Sequence, residues 1–295
     1  MTKRTKTESW FVQVDAESSI SDDGVIKFDS SNPLTLFKMV DFDPETWFTL
    51  LWTGTHWVDF PGTELNDAIQ NQDPSIRMVG EDFAEMFLPD AAAERFPATF
   101  LAGISEAQKT GDPIQIARYI SHQVHAAQLD KGNNAYIGHP SRVAALSQEV
   151  PGFDLLNKED QSSVVQAAWL HDVLEDSGDN GFPLVLSSDL YEWGISRAAV
   201  FAAENLSREN SLMRHLGLKR DKDEYYEFIN QDPLARMVKI ADLADNSNLQ
   251  RVELLKTLGV AINPARYPYA IQSLNFSTEE TNWFKEAIKK EVFDV

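Results

Sequence analysis

His171 and Asp172 stand side by side at the end of the apolar run VVQAAWL, residues 164–170, and Glu175 and Asp176 follow within one turn. A helix apolar nearly all round is buried on most faces. An uncompensated carboxylate there would cost several kcal/mol, so a counter-charge, a hydrogen-bond network or a metal ion must neutralise these acids. Two other helical stretches carry metal-capable groups: His139, just before Pro140, and Asp242 in ARMVKIADLADN. The chain has no cysteine, which leaves His, Asp and Glu as its strong ligands. Adjacent residues on a helix project about 100° apart, so His171 and Asp172 share an ion only if it lies against the helix flank. Further ligands must then come from other helices, and His139 and Asp242 are the natural donors. Such a mixed nitrogen and oxygen set suits one first-row divalent ion such as Mn2+, Fe2+ or Zn2+.

Glu175 and Asp176 lie four residues beyond His171 and Asp172 on the same helical face. They are placed to orient an attacking water or take its proton. Asn246 stands one turn after Asp242, Lys239 three residues before it, and Arg142 three after His139. Both cations can therefore face the metal, which is what a phosphate substrate requires of an acidic protein. Each residue also has a plainer reading. The His171–Asp172 pair is a common hydrogen-bonded couple, His139 could cap a helix, and Asp242 could pair with Lys239 or Arg236. The combination is what points to a metal centre.

The elements that must position these groups change character along the chain. SWFVQV, GVIKF, LFKMV and HWVDF in the first part read as short strands punctuated by turns. Four of the seven tryptophans, Trp10, Trp47, Trp52 and Trp57, fall there, as a core or as an aromatic ligand surface. From Asp112, an N-cap followed by Pro113, the period becomes helical. Helices are expected at 113–129, 140–149, 158–175, 195–206, 222–230, 233–249 and 279–291, the last opened by Ser277 and Glu280 at capping-box spacing. The expected fold class is α+β, with an N-terminal mixed α+β module over 1–110 and an all-α domain over 111–295.

A chain of 295 residues with 43% hydrophobic content can build two cores. The N-terminus MTKRTKTESW has no apolar stretch behind its basic residues, so no secretory signal or membrane span is expected, and a cytoplasmic protein is. A formal net charge of −20 repels polyphosphate backbones and argues against non-specific nucleic-acid binding. A small phosphorylated ligand could still be held by a few local cations.

The segments AYIGHP, WLHDVLEDS and VKIADLADN, in this order, resemble the PYI.HP, LLHDVVEDT and VKLADRLHN segments of the HD-domain phosphohydrolase superfamily. More narrowly, they resemble the RelA/SpoT-type alarmone hydrolases. HAAQLDKGNNAYIGHP is similar to that group's H.GQ.RK.G.PYI.HP, and EYYEFINQDPLARMVKIADLADN to a pattern of its small stand-alone members. The resemblance implies an all-α HD bundle in which His139, His171, Asp172 and Asp242 bind one divalent ion, typically manganese. Glu175 and Asp176 would then handle the nucleophilic water, with Lys131 and Asn246 near the nucleotide, Tyr225 stacking on a base, and His125 matching a histidine ahead of the metal segment. The implied activity is (p)ppGpp 3′-pyrophosphohydrolysis. A 5′-deoxynucleotidase and a non-catalytic nucleotide-sensing regulator are the alternatives. Two positions depart from the pattern: Asp130 replaces the arginine of RK, and Asn248 that of HNMR. Each exchange removes a cation expected to favour a highly anionic ligand.

Overall fold

The computed structural model describes residues 7–13, 35–43, 46–52, 57–60, 71, 76–79, 95–178, 181–209, 214, 218–261 and 266–290. It is of mixed α+β class, and the chain divides into two units. One contains Arg4–Arg95 with Ser211–Gly217, the other Phe96–Asn210 with Leu218–Val295. The division falls one helix earlier than the expected boundary near 110. Helix α1 (Ala98–Lys109) belongs with the later helices because its buried residues Phe100 and Ile104 pack there, Phe100 stacking on Tyr119.

The N-terminal unit holds an antiparallel five-stranded sheet of β1 (Thr7–Gln13), β2 (Thr35–Asp43), β3 (Thr46–Trp52), β4 (Trp57–Asp59) and β5 (Ile76–Val79), in the order β4-β3-β2-β1-β5. Phe11 faces Phe37 across β1 and β2, and Phe37 faces Leu51 across β2 and β3, so one face carries a continuous apolar row. SWFVQV, LFKMV and HWVDF fall on β1, β2 and β4; GVIKF lies outside the described residues. Trp52 and Trp57 are buried against one another with ring centres 5.4 Å apart, while Trp47 is exposed. The core reading therefore holds for the first two.

The other unit is helical. After α1 come α2 (Pro113–Val124), α3 (Gly138–Ser147), α4 (Lys158–Leu170), α5 (Val173–Asp176), α6 (Ser187–Glu192), α7 (Arg197–Leu206), α8 (Lys222–Gln231), α9 (Pro233–Asn246), α10 (Leu249–Thr257), α11 (Arg266–Ser273) and α12 (Thr278–Ala287). Helix starts follow local chemistry. Asp112 accepts from the Ile114 amide ahead of Pro113, Asp232 from Leu234 and Ala235 around Pro233, and Ser277 and Glu280 form the expected capping box. Every residue of α4 from Ser163 to Leu170 is buried.

The helices expected over 113–129, 158–175, 233–249 and 279–291 end earlier than periodicity suggested, at Val124, Leu170, Asn246 and Ala287. The helix expected over 158–175 breaks at the His171–Asp172 pair, with Asp172 at φ −106° before α5 begins. That over 233–249 stops at Asn246, because the Asn248 side chain accepts from the Gln250 and Arg251 amides and starts α10 instead. No helix among the described residues is long and apolar enough to cross a membrane.

Candidate metal centre

Three helical segments converge on one buried point. α3 brings His139, the break after α4 brings His171 and Asp172, and α9 brings Asp242. His139, His171 and Asp242 are each almost fully buried, and each offers a ligand atom within 4.8 Å of the other two, a group that could hold a metal ion. The Nε2 atoms of the two histidines face each other at 3.2 Å. Asp242 Oδ1 is 3.3 Å from His139 Nε2, and Asp172 Oδ2 is 2.9 Å from His171 Nε2 and 3.7 Å from His139 Nε2.

The outer ring nitrogens fix the tautomers. His171 Nδ1 donates to the carbonyl of Ala168 at 2.8 Å, and since a carbonyl only accepts, this nitrogen carries the proton. His139 Nδ1 donates likewise to Asp245 at 2.8 Å. In their neutral forms both rings thus aim a bare Nε2 lone pair at the same spot, an arrangement that repels unless a proton or a cation lies between them. This outward bonding of Nδ1 is the usual support of metal-ligating histidines.

Electrostatics point the same way. Burial opposes charge on His139, but the hydrogen bonds and charges of Asp242 and Asp245 outweigh it and lift the pKa to about 9. For His171 burial is again overcome, here by Asp172. Burial would raise both carboxyls, yet His171 holds Asp172 below the usual carboxylate range, and Lys239 holds Asp242 well below it. The point where these side chains meet favours positive charge, in keeping with a metal ion held by His139, His171 and Asp242.

Around this point the expected residues separate into two groups. A cleft of about 480 Å³ opens onto it and is lined by Lys131, Glu175, Tyr225, Lys239 and Asn246 among others. Lys239 lines the cleft and its ammonium bonds Asp242 Oδ2 at 2.8 Å, the plainer of its two pairings. Asn246 donates to Oδ1 of the same carboxylate at 2.5 Å. Tyr225 is buried in the cleft wall, its hydroxyl donates to the Leu206 carbonyl, and Lys239 and Arg208 stand 5.5 and 5.9 Å from its ring centre. Arg142 is not in this cleft. It grips Asp245 through Nε at 2.6 Å and Nη2 at 3.1 Å, and borders a second cleft of about 450 Å³. Both expected cations thus have a carboxylate at hydrogen-bond distance, Lys239 within the cleft and Arg142 outside it.

Glu175 faces the cleft and accepts the backbone amide of Arg208 at 3.0 Å. Asp176 sits beside it, accepting from Gln128 Nε2 at 2.8 Å. Gln128 in turn takes His125 Nδ1–H at 2.6 Å, so His125 is a buried support for Asp176. Burial, and next the charge of Asp172, push the Asp176 pKa up to about 6.

The two departures from the family pattern do local structural work. Asp130 Oδ1 accepts from the amides of Gly132 and Asn134, closing the turn that returns the chain to α3, and its Oδ2 is 3.7 Å from Arg251. Asn248 is the buried cap of α10 and donates to the Lys290 carbonyl.

Sequence reasoning missed four contributors. Tyr136 donates its hydroxyl to Asp172 Oδ2, and Asp245 holds His139. Arg208 and Arg251 add cations to the cleft wall. The Tyr of AYIGHP was a visible signal for the first. The acid at Asp245, where the quoted pattern has histidine, was one for the second. Comparison with protein-family models and with curated proteins finds no match for this chain.

Proposed function

We propose that this protein is a metal-dependent phosphohydrolase of the HD type acting on a small nucleotide, with (p)ppGpp 3′-pyrophosphate hydrolysis as the leading activity. The observation that carries the reading is the pair of Nε2 atoms 3.2 Å apart, both Nδ1 protons committed outward, flanked by Asp172 and Asp242 at the floor of a cleft. His139, His171, Asp172 and Asp242 would hold one divalent ion, with Mn2+ as the metal the resemblance implies. Such an ion supplies Lewis-acid polarisation of a phosphoryl oxygen and lowers the pKa of water.

The protein's own groups do the rest. Glu175, on the cleft wall, orients the attacking water, and Asp176 behind it is poised by burial to accept a proton near neutrality. Tyr136 fixes Asp172, and Lys239 and Asn246 fix Asp242, so neither carboxylate needs to reorganise. Phosphate oxygens are assigned to cations that line the cleft, Lys131 at the rim and Arg208 and Arg251 in the wall, rather than to Arg142, which lies outside it.

The test is product analysis with purified, Mn2+-loaded protein offered ppGpp and a panel of nucleoside monophosphates. Pyrophosphate from ppGpp, abolished in Asp172→Ala together with metal binding, is the expected result. Phosphate from monophosphates alone would replace the alarmone assignment with a nucleotidase, and turnover retained in Asp172→Ala would overturn the site itself.

A further inference from the structure

A further buried acid stands directly beside the ligands. Asp245 is 3% exposed, one turn beyond Asp242 on α9, and is not among the four ligands. Its Oδ2 accepts His139 Nδ1–H at 2.8 Å; Arg142 binds both its oxygens; and Arg251 Nη1 stands 3.5 Å from Oδ2. The spacing is reciprocal. His139 and Arg142 are three apart on α3, Asp242 and Asp245 three apart on α9, so one turn of each helix meets one turn of the other. A single helix face thereby supplies both a ligand and the group that aims another ligand.

We propose that Asp245 is a positioning residue for the metal centre, and that Arg142 is the clamp that holds it in register. The carboxylate keeps the His139 proton on Nδ1, directs the Nε2 lone pair to the ion and adds electron density to the ring. The bidentate guanidinium fixes the carboxylate plane and offsets a charge that would otherwise stand buried and uncompensated. Removing Arg142 should therefore weaken metal binding although it touches neither metal nor substrate. This inference rests on the metal-site reading.

The experiment separates the two. Mn2+ affinity is measured by calorimetry for the intact wild-type chain and for Asp245→Asn, Asp245→Ala, Arg142→Met, His139→Ala and the Asp245→Ala/His139→Ala double variant. Histidine 15N–1H correlation spectra are recorded on the same proteins without metal. The wild type should bind one ion, Asp245→Ala should bind about 10- to 100-fold more weakly, and Asp245→Asn, which keeps an acceptor but no charge, should fall between. Once His139 is absent, removing Asp245 should change nothing further. A merely structural role would not produce that coupling, nor the loss of the Nδ1–H form of His139 expected in the Asp245→Ala spectra. Wild-type protein that binds no Mn2+ would overturn the metal reading and this inference with it. Wild-type binding with unchanged affinity and unchanged His139 tautomer in Asp245→Ala would overturn this inference alone.

Discussion

At the scale of single residues, the centre is defined by where protons sit. His139 and His171 each commit one nitrogen outward and oppose the other, so their shared face must hold a proton or a cation. Asp176 is governed by the opposite influence. Burial and the negative Asp172 keep its carboxyl protonated to about pH 6, well above the ordinary aspartate value of about 3.8, while the Gln128 hydrogen bond partly restrains the rise. Carbon-13 NMR of the metal-free protein should show Asp176 titrating near pH 6, and Gln128→Leu should move that midpoint upward because a donor to the charged form is lost. The linkage follows in sign: the folded state binds this proton more tightly than the unfolded chain does. The stability Asp176 contributes is therefore fully present below about 3.8 and is lost as pH rises through about 6. A midpoint at the ordinary carboxylate value would refute this account.

At the scale of elements, three helices and one interruption assemble the site. The break after Leu170 puts His171 and Asp172 at a turn, where both side chains reach the same point without sharing a helix flank. α9 carries Lys239, Asp242, Asp245 and Asn246, and its start is fixed by Asp232. That side chain accepts two backbone amides through Oδ1 and the Asn205 amide through Oδ2. Asp232→Ala should cost about 1–2 kcal/mol of stability, since it exposes two helix amides and strands a buried side-chain donor. Urea unfolding of the metal-free protein measures this; an unchanged midpoint would show that α9 is held by packing alone.

At the scale of the whole molecule, the charge of −20 acts against an anionic substrate over distances longer than any contact in the cleft. Raising salt shortens the Debye length from about 30 Å at 0.01 M to about 8 Å near 0.15 M. Stopped-flow association of a nucleotide with the protein should therefore speed up over that range. A rate that falls instead would mean that the local field of Lys131, Arg208 and Arg251 outweighs the net charge.

The sequence by itself determined several helix starts and the residue types of the candidate centre. Apolar periodicity marked the buried run ending at Leu170, Asp112–Pro113, Asp232–Pro233 and Ser277–Glu280 announced helix starts, and the absence of cysteine restricted the ligands to His, Asp and Glu. These are local matters, settled by neighbours within a few residues. Helices α1, α6, α10 and α11 and strands β3 and β5 were not anticipated. What only the tertiary structure decided was the partner of each charge. Lys239 and Arg142 have spacings that suit a phosphate contact and a carboxylate contact equally well. Packing of α3 against α9 placed Asp245 on Arg142, 103 positions away in the chain, and left Lys239 on Asp242. An ion pair depends on distances between helices, and helical spacing along one segment carries no information about them.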